Sequence, residues 1–102
     1  MYTAKDIILA SRITNVVKLD DLTEGYATKG CFSVLLAPKS DAVERGDIVT
    51  FDAILPHSNT EYVEVPVVVG DWSPIVFKSI KANSIDLTDV DVYIAPIKDL
   101  VL

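Results

Sequence analysis

Nearly a third of this chain is β-branched: Val (14), Ile (10) and Thr (7) supply 31 of its 102 residues. Such side chains lose rotamer freedom in a helix and pack well on a pleated surface, so the chain is biased towards sheet before any pattern is read. Alternation then places the strands. Residues 48–55 open with period two after the turn-forming Glu44-Arg45-Gly46-Asp47, and residues 62–69 set Val63, Val65, Val67 and Val69 on one face. Residues 91–95 alternate again, and 6–10, 15–19, 31–37 and 75–81 complete the set. Pro66 has no N–H to give to a ladder, which assigns its strand to an edge or to a break.

Polar punctuation separates these runs. Asp20-Asp21-Leu22-Thr23-Glu24-Gly25, Pro56-His57-Ser58-Asn59-Thr60, Gly70-Asp71-Trp72-Ser73-Pro74 and Ala82-Asn83-Ser84 all read as turns. Only residues 40–45 have room for a helical turn. The expected fold is all-β, an antiparallel β-sandwich or small barrel of about seven short strands in a single domain spanning 1–102. Half of the residues are hydrophobic and 24% are charged, which excludes a disordered chain. No apolar run approaches the ~18 residues that a membrane-spanning helix needs. The N-terminus has no basic region followed by an apolar stretch and does not read as a signal peptide.

Charge narrows the partners. Nine Lys and Arg face fifteen Asp and Glu, a formal net of −6, with no basic cluster to displace the counterions of a nucleic acid or to meet an anionic membrane. The surplus is uneven: residues 1–51 carry six basic and seven acidic side chains, and residues 52–102 carry three and eight. That asymmetry is either a solvated acidic face or a patch that meets a basic partner.

Residues able to do chemistry are few. Cys31 is the single cysteine, so no internal disulfide can form, and its strand-like setting reads as a small buried hydrophobe. The single histidine, His57, stands in a turn with no nucleophile and carboxylate arranged around it in the sequence. Asp86, Asp89 and Asp91 admit two readings, a solvated acidic turn or a weak cation site. They lack the glycine and terminal glutamate of an EF-hand loop. Asp20 and Asp21 admit the same pair of readings. Gly25, Gly30, Gly46 and Gly70 are too scattered for a phosphate-binding loop. No cofactor is expected.

Two features exceed the needs of one small core. Mean hydropathy is positive, and the chain closes on an apolar tail, 96–102, whose last residues are Leu100, Val101 and Leu102. An apolar tail needs a surface, either on its own domain or on a neighbour. Trp72 fits three roles: a cap on the core, an anchor in an interface, or a platform for a sugar.

The stretch from Val65 through Gly70-Asp71-Trp72-Ser73-Pro74 to Ile80, continued by Ala82-Asn83-Ser84 and Asp91-Val92-Tyr93-Ile94-Ala95, resembles small β-domains of tailed-bacteriophage virions, such as spike-base and auxiliary (decoration) capsid proteins. In that pattern a strand ends near Pro or Gly, a short turn reverses the chain, and a basic-apolar strand and a final alternating strand follow. The N-terminal strand region and the apolar tail depart from it. The resemblance implies a non-enzymatic virion protein, assembled in the host cytoplasm. It would dock on a major capsid or tail protein as part of a multimeric assembly and stabilise the capsid. Trp72, Pro74, Leu100, Val101 and Leu102 are the expected contact residues. The alternatives are a tail spike-base protein or a carbohydrate-binding adhesion module in which Trp72, Tyr62 and Tyr93 stack on sugars. A hydrolase built on two converging carboxylates is a third.

Overall fold

One sheet organises the computed structural model, which describes residues 16–56 and 61–97. Among the described residues there are six strands and no helix: β1 (Val17–Leu19), β2 (Tyr26–Pro38), β3 (Ile48–Ile54), β4 (Val63–Val68), β5 (Phe77–Ile80) and β6 (Val90–Ile97). All pairings are antiparallel, in the order β1-β6-β2-β5-β3-β4. The all-β antiparallel expectation holds. The strand expected at 6–10 lies outside the described residues.

Strand β2 is the hinge of this arrangement. Its C-terminal part, Cys31 to Pro38, pairs with β6, whereas Tyr26, Ala27 and Phe32 pair with β5. The β2–β5 register shifts between Ala27 and Phe32, and Gly30 lies within that interval. A glycine there weakens the strand locally and lets it bend. Phe32 stands opposite both Phe77 of β5 and Pro96 of β6, so one buried ring ties the two halves of the sheet together. Around it Phe77 lies 6.2 Å away between ring centroids, Tyr26 meets it edge-on at 5.2 Å, and Phe51 approaches Phe77 at 5.4 Å. Burial of the Tyr26 ring also pushes its phenol pKa up. Val34, Leu36, Ala53, Val65, Val67, Ile80, Val92 and Ile94 close the core.

The sequence pattern and the structure differ at several places. The run expected at 31–37 begins five residues earlier, because Tyr26 and Ala27 gain partners in β5 that no alternation announces. The run expected at 75–81 shortens to β5, since Pro74 and Ile75 form a bend before it. Of the four aligned valines, Val65, Val67 and Val69 are buried, while Val63 lies exposed at the hairpin's far end. Residues 40–45 form no helix; Val43 N–H reaches Ser40 C=O, and Asp47 N–H reaches Glu44 C=O, as two separate turns. Pro96 and Ile97, expected to open the tail, belong to β6. Cys31, expected to be buried, is half-buried.

Pro66 falls on an edge strand, as its missing donor requires. Val69 N–H donates to Asp47 C=O at 2.8 Å, which fixes the phase of the β3–β4 ladder. Antiparallel pairs alternate between hydrogen-bonded and non-bonded. In this register the Ile48–Val68, Thr50–Pro66 and Asp52–Glu64 pairs are non-bonded towards each other. Glu64, Pro66 and Val68 therefore turn their backbone groups to the open edge, and the middle one has no N–H to offer. An edge interrupted in this way is a poor template for a further strand. Replacing Pro66 by Val should restore the donor and produce concentration-dependent association in sedimentation velocity. A variant that stays as monodisperse as the parent would show that this edge is blocked by something else.

Candidate docking surface

The turn after β4 is held by backbone and hydroxyl groups rather than by its own sequence neighbours. Gly70 adopts φ of +100°, a left-handed conformation in which other residues are strained. Its N–H donates to Leu36 C=O at 2.8 Å, and a Cβ there would come within 2.5 Å of Arg45 Cγ. Trp72 then bridges Leu35, laying the segment along β2. Ser73 completes the clasp. Its N–H donates to Val34 C=O at 2.8 Å, its Oγ accepts from Val34 N–H at 3.1 Å, and the same hydroxyl donates to Ile75 C=O at 2.8 Å. Ser33 Oγ donates to Ser73 C=O at 3.1 Å. Both serines are buried, and every buried side-chain polar atom among the described residues has a partner.

The clasp joins residues on the side of β2 away from the core. Phe32, Val34 and Leu36 point into the core, so Cys31, Ser33, Leu35 and Ala37 point to the other side. Leu35 is opposite Tyr93, Tyr93 is opposite Lys18, and Leu35 bridges Trp72. The result is a row, Trp72–Leu35–Tyr93–Lys18, running across the strands on the side away from the core. Trp72, Leu35 and Tyr93 are all half-buried. With strands ~4.8 Å apart, the Trp72 and Tyr93 backbones stand about 10 Å from each other. In the bend after Ser73, Pro74 and Ile75 are exposed, Ile75 at 41%. The face continues through the Ser33–Ala95 and Cys31–Ile97 pairs, where Ala95 and Ile97 are buried although neither belongs to the core cluster. An antiparallel sheet commonly keeps one face polar. This one carries apolar side chains on both sides of β2 and β6.

Of the expected contact residues, Trp72 stands in this row with Tyr93, and Pro74 is exposed in the bend that follows. Leu100, Val101 and Leu102 lie outside the described residues, as does His57. Tyr62 is not part of the row: it precedes β4, and Lys81 Nζ sits 5.8 Å over its ring.

The acidic residues near β6 are dispersed. Asp86 Oδ1 accepts from the Thr88 hydroxyl at 2.6 Å and from Thr88 N–H at 3.0 Å. Asp89 Oδ1 accepts from Ser40 Oγ at 2.9 Å. Asp91 lies 3.5 Å from Lys18 Nζ and 3.9 Å from Lys39 Nζ. Asp89 precedes β6 and does not share a strand face with Asp91. Among the described residues no three His, Cys, Asp or Glu side chains come together to hold a metal ion. Of the two readings open to Asp86, Asp89 and Asp91, these separate partners fit the acidic turn.

A different acidic arrangement emerges, which the linear reading missed. Asp21-Leu22-Thr23 and Asp86-Leu87-Thr88 are the same tripeptide, and each folds into the same turn, with the aspartate accepting from the threonine N–H and hydroxyl. The two turns line one open hollow of about 440 Å³ together with Asp20, Asn83 and Ile85. The repeat of Asp-Leu-Thr was the available signal. Hydrogen bonding holds both carboxyls below the ordinary aspartate range, led by the Thr23 N–H for Asp21 and by the Thr88 hydroxyl for Asp86.

A scan of protein-family models, a search of curated proteins and a search of solved structures each found no match to this chain.

Three outcomes are expected. Ser73→Ala strands Val34 N–H and Ile75 C=O, so chemical denaturation should show a loss of about 1–3 kcal/mol; an unchanged midpoint would mean the clasp is dispensable. In an NMR titration, Asp21 and Asp86 should protonate below the ordinary value near pH 4. Their contribution to stability is complete above that value and is lost as pH falls through the lowered pKa values. Thr88→Val should raise the Asp86 pKa more than Thr23→Val raises that of Asp21, because the hydroxyl is the leading cause only at Asp86.

Proposed function

We propose that this chain is a non-enzymatic docking module that settles on a larger protein assembly and stabilises it. The supporting observation is the Trp72–Leu35–Tyr93 row with exposed Pro74 and Ile75 in the bend that follows, an aromatic and apolar surface on a hydrogen-bonded frame. Interfaces favour this composition: aromatic anchors in a setting already ordered, so that little side-chain entropy is lost on contact. The resemblance of residues 65–95 to tailed-phage accessory proteins makes a capsid the proposed assembly and an auxiliary, decorating role the proposed task. A symmetric shell offers many identical contacts, so modest affinity per copy suffices. Leu100, Val101 and Leu102 are proposed as additional contacts.

The second reading is a carbohydrate-binding adhesion module, favoured by the placement of Trp72 and Tyr93 on one face about 10 Å apart. Tyr62 has no part in it. The two readings diverge experimentally. Trp72→Ala should lower retention on capsid shells that lack their own accessory protein by roughly 30-fold, the effect of losing a 2 kcal/mol anchor, while leaving the circular dichroism spectrum unchanged. Trp72→Phe should recover part of it. Undiminished retention by Trp72→Ala would remove the docking reading, and glycan-array binding that requires Trp72 and Tyr93 would replace it with the second.

A further inference from the structure

The outward face of the β3–β4 hairpin is built unlike the Trp72 face and lies on other strands. Phe51, Ala53, Val65 and Val67 take the inward positions. That leaves Ile48, Thr50 and Asp52 of β3 and Val68, Pro66 and Glu64 of β4 on the outside, paired across the ladder as Ile48–Val68, Thr50–Pro66 and Asp52–Glu64. Ile48 is 66% exposed and Val68 45% exposed. At one end, then, two branched aliphatic side chains stand side by side in water. At the other, four residues and about 14 Å along the strand, two carboxylates stand directly opposite each other.

Both ends work against the isolated fold. Like charges directly opposite in a ladder are destabilising. Among the described residues neither Asp52 nor Glu64 forms an ion pair; the two recorded pairs both involve Asp91. Lys81 is close enough in sequence register for its N–H to donate to Asp52 C=O, yet its ammonium is placed over Tyr62 instead. An exposed aliphatic pair beside an acidic pair that no cation among the described residues meets is satisfied together by one kind of surface: apolar side chains with a Lys or Arg at the matching distance.

We infer that this face is a second docking surface, for a protein partner presenting aliphatic side chains next to basic ones. It stands on different residues from the proposed Trp72 contact and does not depend on that reading. Charge complementarity selects the occupant. A second copy of this chain brings another Asp52–Glu64 pair and a formal net charge of −6, and an anionic lipid surface repels the carboxylates. Strand addition along the open edge meets Pro66. A basic-apolar protein surface laid on the face avoids all three obstacles.

The test uses the full chain, isotopically labelled, and a synthetic peptide of alternating Leu and Lys as probe. Amide shifts are expected at Ile48, Thr50, Asp52, Glu64 and Val68. The Asp52→Asn/Glu64→Gln double variant should bind roughly tenfold more weakly. The same variant should melt higher, by roughly 1–6 °C, because the like-charge opposition is gone. Ile48→Ser should weaken binding without raising the melting temperature. The inference is overturned if shifts centre on the hollow lined by Asp20, Asp21 and Asp86, or if an all-Lys peptide binds equally well, which would mean charge alone. It is equally overturned if the double variant binds as the parent does, or if the same amides shift with protein concentration and no peptide, which would make a second copy the occupant.

Discussion

The structure depends on one strand having two partners. A strand of thirteen residues is long for so small a chain, and β2 uses its length to pair with β6 over one part and β5 over another. The changeover occurs where Gly30 interrupts the side-chain sequence and Phe32 drops into the core between Phe77 and Pro96. Everything on the far side of the sheet follows from that changeover. Once β5 leaves β2 at Phe77, the edge of β2 beyond it is open, and the segment from Gly70 to Ser73 occupies it through backbone bonds to Leu36 and Val34. Trp72 is therefore held against the strand that forms the core, through the backbone bonds of Gly70 and Ser73 on either side of it.

The apolar surplus of the sequence acquires a location in this way. Had the sheet a single buried face, the alternate residues of β2 and β6 would be polar. Instead Leu35, Tyr93, Ala95 and Ile97 continue the apolar character on the opposite side, and Ser33 is buried with its hydroxyl bonded to Ser73 C=O. Fully partnered buried hydroxyls carry little penalty, while unpartnered ones are costly, so the two serines act as fasteners that set the register of the Trp72 segment. At the end of the Trp72 row Lys18 and Lys39 flank Asp91 at partly exposed positions and contribute little to stability.

Much of the fold was legible from residue order because period-two patterns report burial directly. Val65, Val67 and Val69 alternate with exposed partners, and Pro66 declares an edge through its missing donor. The first third of β2 was hidden, since Tyr26-Ala27-Thr28-Lys29-Gly30 has no alternation to read and is ordered by its neighbour in β5. The Ser33–Ser73 clasp was hidden for a related reason: forty residues separate its partners, and neither serine carries a local signature of burial. The sequence left Trp72 three roles and did not show its company. Its alignment with Leu35 and Tyr93 is a matter of register, which single-strand patterns leave open. The acidic groups show the reverse. Their clustering in sequence left a turn and a cation site both open, whereas each carboxylate there has its own hydroxyl or ammonium partner, and two distant copies of Asp-Leu-Thr line one hollow.

Trp72 is the chain's only tryptophan, so its fluorescence reports on the proposed docking face without labelling. The decisive measurement is acrylamide quenching of that emission in the free chain and in the chain bound to shells. The account predicts an indole accessible to quencher when free, and a blue-shifted emission largely protected from quencher once bound. Emission and quenching that stay the same while the chain is demonstrably bound would contradict it, because contact would then be made elsewhere.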